Sequence, residues 1–259
     1  MKIVTLGDLL LDVIVRLDGA LVTGDDQMAH TIAGPGGQAA NVAAWSAALG
    51  AEARFVGRLG DDAAGELVGR ALRERGVEVC GPIAGRTGVV VSIASAGDRT
   101  MASDRGTAPE LSERDLDAAW FDCDVLHISG YSLLREPIGS AAAAAAHHAR
   151  ARGARVSVDV SAWTLVDDAF RQRLNALAPD LVFATEREQD AVGALDTDWI
   201  VKRGARGLTA GGADHAARDV EVVDTTGAGD ALAAGYLVGG AELALDAAAR
   251  CCAQMGAMP

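Results

Sequence analysis

The chain has 259 residues, 50% of them hydrophobic, and a formal net charge of −13, which is enough length and apolar content for a substantial α/β core and too little polarity for a disordered chain. The acidic balance argues against a nucleic-acid backbone or an anionic membrane as the main partner, so an anionic small molecule would have to be held by backbone dipoles, metal ions and a few placed Lys or Arg side chains. Cys80, Cys123, Cys251 and Cys252 form no C-x-x-C pair, the N-terminal run lacks signal-peptide design, and the apolar stretch Ala141 to Ala146 is too short to span a bilayer; a cytoplasmic protein without a disulfide scaffold or zinc site is expected.

Lys2 to Leu6 reads as a buried parallel strand, ended by Gly7-Asp8 where α/β proteins place ligand groups. Asp12 follows in the apolar stretch Leu9 to Val15, either as an outward residue of an alternating strand or as a ligand contact. Arg16 to Ala33 looks like a hairpin outside the main sheet. In Gly34-Pro35-Gly36-Gly37-Gln38-Ala39-Ala40-Asn41 the glycines let the backbone approach a ligand, and Asn41 in the first turns of an Ala-rich helix faces what they admit or serves as a capping group. The strand Ala53 to Val56, the turn Gly57 to Asp62 and the helix Gly65 to Arg75 complete a βαβα pattern.

From Arg86 to Arg105 the rhythm changes to two strands, Val89 to Ala94 and Arg99 to Ala102, joined at Ala96-Gly97-Asp98. With the first hairpin they would make a four-stranded lid from about 13–35 and 86–105. Ser112 to Asp115 resembles a capping box that restarts a helical pattern. Three βα units follow: Val125 to Ser129 with Gly139 to Arg152, Arg155 to Asp159 with Asp167 to Ala176, and Leu181 to Ala184 with Glu186 to Val192. The strand Trp199 to Lys202 and the tight turn Arg203 to Gly207 come next, and a last helix is expected over Ala244 to Met255. The expected architecture is one α/β domain over 1–259, a doubly wound, mostly parallel sheet flanked by helices and carrying a small β lid.

Val220 to Val223 reads as a strand, Asp224-Thr225-Thr226-Gly227-Ala228-Gly229-Asp230 as a glycine turn, and Ala231 to Val238 as the helix behind it. The N–H groups of Gly227, Ala228 and Gly229, bunched at the helix start, form an anion hole. Asp230 at its mouth is suited to take a proton from a hydroxyl while the hole holds charge on a transferred phosphoryl group. The residues alone leave another reading of Asp230 open, as a first-turn carboxylate favoured by the helix dipole. A dinucleotide fingerprint starting at Gly227-Ala228-Gly229 fails at Leu232, where its third glycine would stand.

Gly36-Gly37 with Asn41, then Gly57-Arg58-Leu59-Gly60-Asp61-Asp62, then Val201-Lys202-Arg203-Gly204-Ala205-Arg206-Gly207, then the D-T-T-G-A-G-D run occur in the order and spacing of the ribokinase-like (PfkB) carbohydrate kinases, which the chain resembles from about residue 2 onward. The resemblance implies an ATP- and Mg²⁺-dependent kinase acting on a hydroxyl of a sugar, sugar acid or nucleoside. Asp230 would be the base and the 227–229 backbone the anion hole. Asp12, Gly37 and Asn41 would bind sugar hydroxyls, with Arg105 and Tyr131 as further substrate contacts. Lys202, Gly204, Gly207 and Thr226 would lie at the nucleotide, Glu188 would reach Mg²⁺ through water, and Asp224 with Thr226 would adjoin a monovalent cation such as K⁺. The lid would cover the sugar and supply a homodimer interface, as in several relatives.

The departures are specific. The family's N-x-x-E reads Thr185-Glu186-Arg187-Glu188, Leu208 to Arg218 is compressed, and no counterpart of the usual final helix follows Gly256-Ala257. Leu10 stands where ribokinase carries an asparagine, and Ile128-Ser129-Gly130-Tyr131 lacks its acidic sugar contact, which points to an acceptor other than ribose, or a nucleoside whose base stacks on Tyr131. The alternative from another class is a catalytically weak or inactive sugar-binding or regulatory protein on the same fold.

Overall fold

The computed structural model describes residues 1–95 and 98–259. The expected hairpin turn at Ala96-Gly97 therefore lies outside the described residues.

Short apolar runs supply the main sheet. β1 (Lys2–Leu6), β4 (Glu52–Val56), β5 (Glu78–Cys80), β8 (Val125–Ser129), β9 (Arg155–Asp159), β10 (Leu181–Thr185) and β11 (Asp198–Lys202) run parallel, and the hairpin β12 (Leu208–Ala210) and β13 (Ala213–His215) adds an antiparallel edge. The order is β13-β12-β11-β10-β9-β8-β1-β4-β5. Because the seven parallel strands point one way, Gly7, Ser129, Asp159, Thr185 and Lys202 all reach the same rim.

Helices α1 (Gln38–Ala48) and α6 (Ala228–Cys252) pack on one another over one face. On the other, α3 (Ile138–Arg150), α4 (Asp168–Leu177) and α5 (Glu186–Val192) close the largest buried cluster, in which the small residues Ala141, Ala142, Ala145, Ala146 and Ala149 let α3 lie close to Val156 and Val158. The helix α2 (Ala63–Glu74) begins at Asp62, which accepts from Gly65 N–H at 2.8 Å and from Thr87 N–H and Oγ at 2.9 and 2.5 Å. One cap thus ties a core helix to the lid, and the Thr87 hydrogen bonds hold the Asp62 carboxyl below its ordinary range.

The lid is a separate four-stranded sheet in the order β3-β2-β6-β7, from β2 (Leu10–Leu17), β3 (Ala29–Gly36), β6 (Thr87–Ser95) and β7 (Asp98–Gly106). The two excursions join through β2 and β6, with Asp12 between Gly34 and Val90.

Three expectations are corrected. Val220 to Val223 forms no strand: among the described residues no strand pairs with it, Val222 and Val223 are 59% and 49% exposed, and the segment is held by Val223 N–H and Asp224 N–H donating to the Cys252 carbonyl. The capping box at Ser112 is present, but it starts only a three-residue 3₁₀ turn. The expected helix Ala244 to Met255 is the second half of α6, which is kinked at Gly239-Gly240 and ends at Cys252. By length and composition α6 could cross a membrane, although half of its apolar window is buried in the protein.

Candidate active site

At the start of α6 the chain needs a left-handed residue, and Gly227 supplies it with φ 76°. A Cβ there would lie 2.6 Å from that of Ala257, so the turn and the 253–259 tail are packed as one unit. Asp224 locks the loop from inside: Oδ1 accepts from Thr226 N–H at 2.9 Å and Thr226 Oγ at 2.5 Å, and Oδ2 accepts from Gly256 N–H at 3.0 Å. Of the three expected N–H donors, Ala228 makes a long 3.3 Å bond to the Thr225 carbonyl. Gly229 faces the Lys202 side chain, since a Cβ there would lie 3.6 Å from both Cδ and Nζ.

Asp230 follows in the first turn, and its Oδ2 accepts from Asn41 Nδ2 at 2.7 Å. Burial pushes its carboxyl up to about 8, and the charges of Asp159 and Asp8 act in the same direction. The Asn41 hydrogen bond and Lys202 pull it back. The outcome is a carboxyl that titrates near neutrality, the range suited to a general base.

Asp12, Gly37, Asn41, Arg105 and Tyr131 gather under the lid, each for a local reason. The Asp12 carboxyl fills the space that a side chain at Gly36 would need, and Gly37, at φ 99°, brings the N-cap of α1 so near Asp8 that a Cβ would lie 2.5 Å from its carbonyl oxygen. Arg105 descends from β7, pairs with Asp8 and lies over the Tyr131 ring at 3.4 Å from its centroid. Burial raises the Tyr131 hydroxyl above its ordinary value against the pull of Arg105. Asn41 Oδ1 and Asp8 Oδ1 are buried with no hydrogen-bond partner among the described residues, the condition of groups that a polar ligand would satisfy. Asp8 was noted in the sequence only as closing β1 where ligand groups are placed and was given no site role; its position two residues beyond β1, at the ligand rim, is the signal that carries it.

On the opposite side, Lys202 at the end of β11 binds Asp159 at the end of β9, Nζ lying 2.8 and 2.7 Å from the two carboxylate oxygens. Burial pulls Lys202 down, but Asp159, Glu188 and Asp230 more than offset it and the ammonium is held charged. Asp159 is a second residue missed in the sequence, although an aspartate closing the apolar strand Arg155 to Asp159 occupies the same rim as Asp8. Gly204, at φ 58°, has no neighbouring atoms to meet a Cβ, whereas at Gly207 a Cβ would collide with the His215 carbonyl. Gly204 is thus open to a ligand, and Gly207 serves the β11–β12 turn, its carbonyl accepting from Arg203 N–H at 2.8 Å. Arg203 is engaged by Asp214 at 2.5 Å and Glu186 at 3.6 Å.

Thr185 and Glu188 form a reciprocal capping box on α5: Glu188 Oε2 accepts from Thr185 N–H at 2.6 Å, and Thr185 Oγ accepts from Glu188 N–H at 3.3 Å. Among the described residues no three His, Cys, Asp or Glu side chains cluster so as to hold a metal ion.

A parallel sheet with helices on both faces, a β lid above its rim, and a part-buried carboxylate beside a glycine-led helix start define the ribokinase-like class of α/β enzymes. The model of the pfkB family carbohydrate kinases matches residues 1–258, and the chain belongs to that family. It is 32% identical to a fructokinase of Klebsiella pneumoniae over 92% of this chain and 84% of that protein. It is 33% identical to an ATP-dependent ribose-1-phosphate kinase of Halopiger xanaduensis over 83% of this chain and 78% of that one. The solved adenosine kinase of Sinorhizobium meliloti superposes with a TM-score of 0.88 at 26% identity, covering 100% and 95% of the two chains. The protein is a phosphotransferase with an alcohol group as acceptor, a sugar or nucleoside kinase.

Proposed function

We propose that this chain transfers the γ-phosphoryl group of ATP to a hydroxyl of a sugar, sugar acid or nucleoside other than ribose, with Asp230 as the base and the backbone at 227–229 as the anion hole. The observation that carries the reading is the 2.7 Å hydrogen bond from Asn41 to Asp230 in the first turn of α6. It supports a reading in which an amide that binds hydroxyls, a carboxylate base and a helix start act on one acceptor.

In this reading Asp12, the Gly37 backbone and Asn41 orient the acceptor, and Asp230 takes its proton as the phosphoryl group passes to the oxygen. The bare face of Gly204 and the charged Lys202 beside Gly229 suit nucleotide phosphates. Magnesium, when bound with the nucleotide, neutralises charge on those phosphates; Glu188 is the residue to reach it through water, with Oε2 fixed by the Thr185 N–H. Asp224 and Thr226 would share with a monovalent cation oxygens that already accept hydrogen bonds within the loop, so K⁺ is a condition to vary in the assay. Arg105 over Tyr131 supports an acceptor that carries an acidic group or a flat ring. Met28, Ile32 and Met101 expose apolar surface on the lid and support a homodimer formed through it. The four cysteines are free thiols, which suits the cytoplasm.

The test is ADP release with Mg²⁺-ATP, with and without K⁺, across pentoses, hexoses, sugar acids and nucleosides, with Asp230→Asn as the blank. One acceptor strongly preferred over ribose is expected. Equal signals from wild type and blank for every acceptor would replace the kinase reading with that of a binding protein.

A further inference from the structure

Strand geometry brings Lys202 and Asp159, from the ends of β11 and β9, together across β10. Asp159 pairs in register with Phe183 on β10, and Lys202 with Thr185, two residues nearer the rim. Strand alternation puts both side chains on the sheet face that carries Phe183 and Ile200, the face covered by α1 and α6. Neighbouring strands lie about 4.8 Å apart, so β9 and β11 are separated by about 10 Å; the lysine stem reaches back across β10 to close that gap. Asp159 is fully buried, and its Oδ1 also accepts from Ser161 N–H at 3.1 Å, a residue held in the left-handed region at φ 77°. Taking both charges out of water is expensive, and an apolar pair would serve packing as well or better.

An ammonium has three donors. Two of the Lys202 donors are taken by the Asp159 oxygens, and Nζ lies 3.6 Å from where a Cβ at Gly229 would stand, beside the backbone of the expected anion hole. We infer that Lys202 is a catalytic residue that contacts the phosphoryl group during transfer, and that Asp159 is a positioning residue whose carboxylate docks the ammonium beside the anion hole. The inference rests on the kinase reading above. An oxygen at Gly229 takes the third donor, and charge moving from the nucleotide toward the acceptor stays within reach of a fixed cation throughout. Asp159 holds Lys202 away from Asp230, with which it would otherwise form a direct pair and cancel the base.

The experiment compares wild type, Lys202→Met, Lys202→Arg, Asp159→Asn and the double Asp159→Asn/Lys202→Met with the preferred acceptor. Folding is checked by thermal unfolding, and the double variant removes both charges and so leaves no unpaired one. Lys202→Met should lower kcat about 10²–10³-fold, the effect of losing one transition-state donor, with the acceptor KM within about twofold of wild type. Asp159→Asn should lower kcat by about 10–100-fold, Lys202→Arg should recover part of the loss, and the double should be no slower than Lys202→Met, because Asp159 acts through the lysine.

The groups that act on Asp230 are Asp8, Asn41, Asp159 and Lys202, with Tyr131 and Cys251 also within its field. Removing the Asp159 charge should therefore move the acid limb of kcat/KM to lower pH, and removing the Lys202 charge should move it to higher pH. A purely structural pair would move neither. A Lys202→Met enzyme with wild-type kcat, losses in the double that multiply, or an acid limb unmoved in both single variants would overturn this inference alone. Wild-type silence with every acceptor would overturn the kinase reading and this inference with it.

Discussion

Asp230→Asn should stabilise the ligand-free protein while abolishing most of its turnover. In an unfolded chain the carboxyl titrates near 3.8, and in the folded protein burial raises it to about 8. A raised carboxyl binds its proton more tightly in the folded state, so its favourable contribution is complete below about pH 4 and is lost as the pH climbs toward 8. Some four pH units at about 1.4 kcal/mol each set a ceiling of about 6 kcal/mol on that loss. Asp230 is only part-buried, so water screens the charge and about 2–3 kcal/mol is the expected penalty at pH 8. Asparagine has no charge to desolvate and cannot incur it. Denaturant unfolding of wild type and Asp230→Asn from pH 5 to pH 9, without nucleotide or sugar, should show the variant gaining on wild type as the pH rises. Turnover by the same preparations should fall by about 10²–10⁴-fold. A stability difference that stays flat with pH, or a wild type more stable than the variant at pH 8, would refute the claim that a part-buried, reluctantly ionised carboxylate occupies the site.

The wild-type kcat/KM for the acceptor should rise through neutrality with an acid limb near pH 8, following ionisation of Asp230 in the free enzyme; a profile flat from pH 6 to 9 would remove Asp230 as the base. Gly227→Ala should cost about 1–3 kcal/mol in denaturant unfolding, because the new methyl enters a left-handed position and meets Ala257 at 2.6 Å, and unchanged stability would mean the tail is not packed on the turn. Arg105→Met should raise the acceptor KM by about tenfold with a smaller change in kcat, since the side chain binds Asp8 and covers Tyr131 without reaching Asp230; a kcat loss at unchanged KM would place Arg105 in the chemistry instead.

How much of this was legible depends on the range of the interaction. Local signals carried far: the alternation of short apolar runs with Ala-rich helices gave all the parallel strands except the three-residue β5, and the glycines at 36–37 and 227–229 marked turns in which Gly37 and Gly227 take positive φ. Where the outcome depends on a distant partner, local pattern failed. Val220 to Val223 has the composition of a strand but nothing to pair with, so its valines stay exposed. The resemblance makes Arg105 a substrate contact, but nothing local reveals that the lid lowers it onto Asp8, 97 residues away in the chain. Asp159 and Lys202 end separate strands 43 residues apart, and only the parallel order β9-β10-β11 turns two strand-end residues into one pair. The rim of a parallel sheet is thus the place to reread every charged residue that closes an apolar run: a charge there is either out in solvent beyond the sheet, or drawn in by a partner that chain order alone does not reveal.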